Sequence, residues 1–435
     1  MKLRVIATAF AMTASITAFA KSSVYPQVQQ EYHKSGSPYF VTDHDFSYQM
    51  LNKQEITGGA VKILNARQSK EIAPNSINIG GKGEMYAVYQ KINGKSRSAI
   101  CANSDDYSST TINFPVFDLS FTGTLGDWTS AYANLRASDV STSDIKLPHV
   151  YFVIGNLDRA PVYVLAGKKT VEFGNFNSMN NFIPTLTRAY FMAYGAQASI
   201  GYTKNDVNAV FTVMNGNGKY LLNSKASSAN QLNNFSLSTD YKNNIYNIFY
   251  RIGAGYVNAT GFSRNTDATI NPRSMVGAFD LNATIKSNGV TLNGELLITT
   301  QGVRGMNDAS VYYNADADQL NSKKAVSGDT AGYKAFSFNA LPALVNFDSG
   351  STVKAWSLDS SYTIPLLSKD MSLYISYSHI VQNSDNNLYQ VEIGSRCNPV
   401  DVVWIGGSYN YTSGKNSGSN VGKFSTVMLN ASVYF

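Results

Sequence analysis

Five basic residues are the candidates for binding chemistry in this 435-residue chain. A guanidinium group can bind a carboxylate through two parallel hydrogen bonds, and an ammonium group acts as a point charge. Nearby Tyr or Phe side chains could cover an apolar part of the same ligand. The positive charge of these residues, and the face of the predicted strand or loop on which each one falls, predict a binding site for an anionic solute. Its candidate residues are Arg136, Lys168, Lys169, Arg188 and Arg251.

Catalytic, metal and redox chemistry finds little support in the sequence. There are four histidines and two cysteines, with no CxxC motif and no His/Cys cluster. His149 and His379 fall singly near strand ends, whereas a hydrolase needs a nucleophile or a carboxylate pair beside a base. Asp43 to Asp45 could hold a metal, but a solvated turn is favoured. We expect no enzyme activity, no cofactor and no metal.

The amino terminus has the pattern of an export signal. Residues 1–20 have a basic start, an apolar middle and an Ala-Phe-Ala close, which predicts cleavage after Ala20. Loss of Lys2 and Arg4 lowers the formal charge from +6 to +4, a balance that does not indicate nucleic acid as a partner. No apolar run of about 18 residues follows, so a helical membrane span is not expected.

Residues 77–435 alternate apolar with polar or small residues in stretches of about ten, separated by turns or polar loops. The alternation predicts about sixteen antiparallel strands, at 77–90, 113–124, 128–138, 149–155, 161–168, 193–203, 207–214, 233–241, 245–258, 274–286, 290–300, 353–363, 370–380, 387–395, 401–411 and 424–435. Links after even-numbered strands are short, with turns such as Gly126-Asp127 and Asn398-Pro399, while most links after odd-numbered strands are long.

This parity predicts an all-β fold, a transmembrane outer-membrane β-barrel with short periplasmic turns and long extracellular loops. Hydrocarbon offers no hydrogen-bond partner to the backbone, so a sheet within it must close on itself. A soluble β-sandwich also alternates but seldom separates its links by parity. The last strand alternates up to Phe435, which resembles the terminal signal read by the barrel-assembly machinery of Gram-negative bacteria. We expect an outer-membrane protein, either a monomer or a trimer.

Strand parity also predicts which charges face the lumen. They are Asp118, Arg136, Asp240, Arg251, Asp280, Glu295, Asp359 and Glu392, together with neutral Ser130, Tyr132 and Asn293. An ordinary water-filled pore wall would carry the same charges, so parity alone does not identify those that contact a solute. The aromatic-rich interval 169–192 is predicted either to fold inward and narrow the channel or to pack against the rim.

Two further features complete the organisation. Residues 21–76 have no strand rhythm and form a short periplasmic or luminal segment, too short to be the plug of a 22-stranded transporter. Cys101 and Cys397 fall on opposite sides of the membrane and are not expected to form a disulfide.

Several stretches, including "NSINIGGKGEMYAVYQ" and "GNLDRAPVYVLAGKK" running into "EFGNF", are similar to the siderophore-porin family typified by the legiobactin receptor of Legionella. The resemblance implies a sixteen-stranded barrel that admits a ferric siderophore of the carboxylate type, without energy coupling and independently of TonB. The chain departs from the family at Lys168-Lys169 and Val171-Glu172, where relatives often have Gln and Val-Pro. The bare pattern alone, without the resemblance, favours a general or anion-preferring diffusion porin, with a small anionic solute as its partner.

Overall fold

The structure is a computed structural model that describes most of the barrel and part of the amino-terminal segment. The described residues are 39–52, 57–93, 106–137, 146–180, 183–215, 232–263, 265–266, 269–270, 275–302, 345, 347, 350–366 and 369–435. Residues 1–38, and with them the predicted export signal, lie outside this set. No helix among the described residues has the length and apolar character needed to cross a membrane.

Sixteen antiparallel strands close into one barrel. Strand β16 returns to pair with β1, so that Tyr434 lies opposite Lys82 and Lys423 opposite Asn93. The sixteen predicted strands and the closed antiparallel barrel are confirmed. The bounds are β1 Ser76–Asn93, β2 Asp106–Leu125, β3 Thr129–Ala137, β4 Lys146–Gly155, β5 Val162–Thr170, β6 Tyr194–Lys204, β7 Val207–Asn215, β8 Leu232–Ile245, β9 Ile248–Val257, β10 Ala278–Ser287, β11 Val290–Thr299, β12 Lys354–Leu366, β13 Lys369–Val381, β14 Asn387–Val400, β15 Val403–Asn416 and β16 Ser419–Tyr434.

Links at the periplasmic end are two to six residues long, as the parity of the sequence predicts. Two details of the prediction are wrong. The link between β15 and β16 is only Ser417-Gly418, because both strands extend further than their apolar alternation indicates. The turn after β14 lies at Asp401-Val402, whereas Asn398-Pro399 still belongs to the strand.

Alternate residues of each strand divide between the two faces of the wall. On β5, Val162 and Val164 are exposed on the outer face, whereas Tyr163 and Leu165 are buried on the luminal face. The outer face therefore presents an apolar surface to lipid, and the inner face presents polar and aromatic groups.

The carboxyl terminus is part of the closed sheet. The backbone of Phe435 exchanges two hydrogen bonds with Gly81, at 2.7 and 3.1 Å. Its ring packs directly on Gly81, where an added Cβ would lie 2.1 Å from a ring atom, and 6.2 Å from the ring of Phe117. A glycine at position 81 is required by this close approach.

The amino-terminal segment lies against the luminal wall at the periplasmic end. A short strand, Tyr39–Val41, pairs in parallel with the start of β1, and helices α1 (His44–Leu51) and α2 (Gly59–Gln68) follow. The apolar side of α2, Ile63 and Leu64, is buried against luminal side chains of the wall: Tyr132, Tyr151, Tyr163 and Leu165.

Polar contacts anchor both helices to the wall. Arg67 of α2 donates to Ser130 Oγ and to the carbonyl of Gly126, each at 2.8 Å. Lys82 Nζ of β1 donates to the carbonyl of Leu51 at the end of α1, at 3.1 Å. These contacts and the apolar side of α2 hold the segment within the barrel.

Glu71, just after α2, gives this attachment a pH dependence. Partial burial, reinforced by Asp43 and Asp45, raises the pKa of Glu71 above its usual value. A raised carboxyl pKa means that the neutral form is favoured in the folded state, so docking weakens as pH rises through that pKa and is strongest below the unfolded value. Glu71→Gln should therefore slow hydrogen exchange in α1 and α2 at neutral pH and leave it unchanged at acidic pH. Faster exchange in the variant at neutral pH would contradict this assignment.

Candidate functional site

A long loop after β5 crosses the lumen. We call its described residues, 171–180 and 183–193, the constriction loop. Glu295 Oε1 of β11 accepts hydrogen bonds from the backbone N–H groups of Asn175 and Phe176, at 2.8 and 2.9 Å. The N–H of Leu186 donates to Ser378 Oγ of β13, which lies halfway round the sixteen strands from β5. The prediction that this interval folds inward is confirmed, and the rim alternative is wrong.

Helix α3, Leu186–Phe191, is the buried centre of the constriction loop. Thr185 caps it by accepting from the N–H of Arg188 at 3.3 Å. The Tyr190 ring contacts the rings of Phe262 and Phe347 from extracellular loops, with centroids 6.4 and 5.7 Å apart. An apolar cluster thus lies on the extracellular side of the constriction loop.

A buried ion-pair network lies on β1 to β3. Arg136 binds Asp118 through two hydrogen bonds, Nε to Oδ1 at 2.6 Å and Nη2 to Oδ2 at 2.8 Å. Lys82 lies 3.5 Å from Asp118 and 3.3 Å from Glu84, and these three side chains are fully buried. Such pairing offsets the large cost of removing the charges from water.

An aqueous cavity of about 990 Å³ opens between the amino-terminal helices and the periplasmic half of β5 to β10. We call it the periplasmic cavity. It reaches Asn177 of the constriction loop, and a second cavity of about 170 Å³ meets it at Asn177 and Lys286. The two cavities thus share part of their lining at the luminal wall.

Basic side chains outnumber acidic ones around the periplasmic cavity. The basic residues are Lys62, Arg159, Lys204, Lys242, Arg251 and Lys286, and the acidic residues are Asp158, Asp206 and Asp240. The smaller cavity adds Arg396 and Lys286 with no acidic residue in its described lining. Low-dielectric walls lined mainly by one sign of charge focus the field, so the described lining gives both cavities an excess of positive charge.

Arg251 is the one predicted candidate that lines the periplasmic cavity. Its Nε donates to Asp240 Oδ1 at 3.0 Å and its Nη1 donates to Asn175 Oδ1 at 2.9 Å. It therefore links the cavity wall to the constriction loop while its side chain stays 26% exposed.

The structure places the other four candidates elsewhere. Arg136 is buried in its ion pair with Asp118. Lys169 is buried and paired with Glu172, whose Oε2 accepts from the N–H of Gly58 at 2.9 Å. Arg188 is buried on α3. Lys168 is exposed near the extracellular rim, where its Nζ donates to the carbonyl of Leu147 at 3.2 Å and lies over the Tyr194 ring.

The two basic residues of the smaller cavity, Lys286 and Arg396, were not among the candidates predicted from the sequence. Lys286 follows Asp280 on the luminal side of β10 and lies over the Phe249 ring at 5.7 Å. Arg396 follows Glu392 on β14, where its guanidinium lies 4.1 Å from the Trp404 ring centre and donates to Tyr48 at 3.2 Å. Strand parity was the signal that could have found both, because each lies an even number of residues from a predicted luminal carboxylate.

Other sequence candidates have structural roles. Asp43 caps α1 by accepting from the N–H of Phe46 at 3.0 Å. Within the described ranges no group of three or more His, Cys, Asp or Glu side chains is placed to hold a metal. Cys397 is a free thiol at the periplasmic end of β14, while Cys101 lies outside the described residues, so the prediction for this pair stays a prediction.

Comparison with known proteins defines the architecture. No protein-family model matches the chain, and no curated protein matches its sequence. The anion-selective porin from Comamonas acidovorans matches with a TM-score of 0.50 at 11% identity, over 83% of this chain and 99% of that chain. The outer-membrane channel DcaP of Acinetobacter baumannii matches with a TM-score of 0.49 at 12% identity, over 82% and 97%.

The first of these similarities shows the fold. With its sixteen-stranded closed wall, short turns at one end and a loop folded into the lumen, the chain is an outer-membrane β-barrel of porin architecture.

Proposed function

We propose that this barrel is a diffusion channel of the outer membrane that prefers small anionic solutes. The observation that carries the proposal is the positively lined periplasmic cavity inside a barrel of porin architecture. A diffusion channel needs no nucleophile or general base. This agrees with a lumen in which the described charged residues form ion pairs or lie apart along the cavity wall. A catalytic function is not proposed.

The luminal basic side chains differ in how much of their positive charge is available to a solute. The buried network of Asp118 neutralises Arg136, so this cation adds little to the field, whereas Asp240 neutralises only part of the charge of Arg251. Lys286 is exposed at the junction of both cavities and lies over an aromatic ring, which leaves its charge available to a passing anion. Attraction in this aqueous setting is weak enough for release, as passage requires.

Lys286→Glu is expected to lower the permeability ratio of chloride to potassium. The substitution replaces attraction by repulsion where the cavities meet, and a contact charge in water contributes about 1 kcal/mol, so the ratio should fall by up to about fivefold. The measurement is the reversal potential of the refolded protein in a planar bilayer under a KCl gradient. The effect should shrink at high salt because screening shortens the reach of the charge.

Lys369→Glu is the matched control for this experiment. Lys369 also lies near the periplasmic end, but it pairs with Asp401 outside both cavities. This variant should keep the reversal potential of the wild type. An equal shift in both variants would show that surface charge, rather than the periplasmic cavity, sets selectivity.

Uptake of a ferric carboxylate siderophore is the second candidate function. It rests on the sequence resemblance and on the periplasmic cavity, whose volume of about 990 Å³ could enclose a small chelate. The same bilayer distinguishes the two functions when ferric citrate is added. A specific importer should show saturable block of the chloride current at low chelate concentration, and Lys286→Glu should weaken it. A diffusion channel should show no saturable block.

A further inference from the structure

Two basic side chains of the smaller cavity are held in place by aromatic rings. The Arg396 guanidinium lies 4.1 Å from the Trp404 ring centre, and its Nη2 donates to the hydroxyl of Tyr48 at 3.2 Å. Lys286 Nζ lies 5.7 Å from the Phe249 ring centre. Neither basic side chain forms an ion pair with a carboxylate of the described residues, and the described lining of this cavity contains no acidic residue.

Arg136 shows the contrasting arrangement. Asp118 accepts two charged hydrogen bonds from it, so the pair is satisfied within the wall and leaves little charge for a solute. An aromatic ring instead positions a cation without cancelling its charge. Lys286 and Arg396 are therefore positioned in advance and still able to give charge-assisted hydrogen bonds to a ligand.

A row of hydroxyl groups connects the two cations across the wall. The hydroxyl groups lie on the three intervening strands, β11 to β13, and belong to Thr291, Ser361, Thr363 and Ser372. Thr291 lies opposite Lys286 of β10, and Ser372 lies opposite Arg396 of β14. The two residues of β12 lie opposite Thr291 and Ser372 and complete the row.

The constriction loop supplies the rest of the described lining near this row. Asn177, Ser178 and Met179 of the loop line the smaller cavity, and Asn177 also lines the periplasmic cavity. The smaller cavity has a volume of about 170 Å³, so it admits only a small solute. A solute in it lies between the loop and the row of hydroxyl groups.

We propose that the smaller cavity is a binding subsite for small anionic sugars, whose carboxylate or phosphate contacts Lys286 or Arg396 and whose hydroxyl groups contact the row. This inference rests on the proposed function and deepens it by naming a class of solute. Guanidinium and ammonium groups bind carboxylates and phosphates. Serine and threonine hydroxyls both donate and accept, so they complement sugar hydroxyls, which chloride lacks. The subsite must bind weakly, because passage requires release.

Block of the chloride current through the refolded full chain in a planar bilayer tests this subsite with matched probes. Gluconate and hexanoate have the same charge and the same number of carbon atoms, but only gluconate carries hydroxyl groups. We expect gluconate to block at about tenfold lower concentration than hexanoate, because each additional hydrogen bond strengthens binding several-fold. Neutral glucose should block more weakly than gluconate. Phosphorylated glucose is titrated separately, and the stronger blocker of the two anionic sugars assigns the acidic group.

Thr291→Val and Ser361→Ala each remove one hydroxyl of the row with little change in shape. Each variant should reduce the preference for gluconate over hexanoate by about threefold. Ser199→Ala is the matched control, because Ser199 is also a luminal serine, hydrogen-bonded to Thr212, but lines neither cavity. This control should keep the preference of the wild type. Heat-modifiable migration on gels verifies that each variant forms a barrel.

Equal block by gluconate and hexanoate, equal block by gluconate and glucose, or an unchanged preference in both hydroxyl variants would each overturn this inference and leave the anion preference of the channel standing. A barrel without preference for chloride in which gluconate still blocks ahead of hexanoate and glucose would overturn the proposed function and support the subsite. The comparison of probes on the wild type needs no variant, so it decides the question even where a variant fails to fold.

Discussion

Deletion of residues 39–68 is expected to raise the single-channel conductance of this barrel several-fold. The deleted strand and two helices form one side of the periplasmic cavity, and their removal leaves the luminal faces of Tyr132, Tyr151 and Tyr163 open to water. The sheet should stay closed, because β16 pairs with β1 along Lys82 to Asn93 without the deleted residues. Bilayer recordings of the refolded variant measure the change.

A substitution can test the same idea at full chain length. Ile63→Asp places a charge in the buried apolar contact of α2, where the side chain is fully buried, and should release the helices from the wall. Asn65→Asp introduces the same charge on the exposed side of α2, where it lines the periplasmic cavity, and should leave the helices docked, so its conductance should stay near that of the wild type at high salt, where the charge is screened. If deletion and Ile63→Asp both leave conductance unchanged, the helices do not limit the passage.

The barrel was predictable because its signal is local. Each strand alternates between lipid and lumen, and a period of two is readable without knowing any partner strand. The ends of β15 and β16 were mispredicted because this local signal is weak there. Between Ser413 and Ser419, Gly, Ser and Asn replace apolar residues, so the alternation is lost although the two strands continue to pair. Helices α1 and α2 gave no strand rhythm, and their docking depends on luminal tyrosines from strands far away in sequence.

The candidate site was less predictable because its chemistry is non-local. Parity placed both Arg136 and Arg251 in the lumen, but their availability depends on the neighbouring strand. Arg136 lies directly opposite Asp118 and is neutralised there, a pairing that only the register of β2 and β3 decides. Lys168 and Lys169 are adjacent in sequence, so their strand directs one to the outer face and one inward.

The charged groups that hold the constriction loop are different from those that line the cavities. The constriction loop is fixed to the carboxylates of β11 and β14 through Glu295, Asn180 and Glu392, deep in the wall. The accessible cations, led by Lys286 and Arg396, lie on the periplasmic side of the same loop. The basic groups outnumber the three aspartates in the lining of the periplasmic cavity, and the constriction loop covers Glu295 and Glu392, which would otherwise add to the repulsion of an anion.

Arg136 and Arg251 are expected to differ in how much stability the same substitution removes. Arg136→Gln removes the two charged hydrogen bonds to Asp118, which is fully buried, and breaking a buried pair costs about 3 to 5 kcal/mol in the free energy of unfolding. Arg251→Gln removes a partly exposed pair and should cost about 1 kcal/mol or less. Urea unfolding of the refolded barrel measures both losses.

For ion selectivity the larger effect should come from Arg251→Gln rather than Arg136→Gln, because of these two arginines only Arg251 lines the periplasmic cavity. We expect Arg251→Gln to lower the permeability ratio of chloride to potassium, and Arg136→Gln to leave the ratio unchanged in those molecules that fold. The pair of variants is matched in residue type, in replacement and in having an aspartate partner, so burial and cavity lining are the variables compared. A selectivity change in Arg136→Gln without loss of stability would place the passage along β2 and β3 and would move the anion route away from the periplasmic cavity.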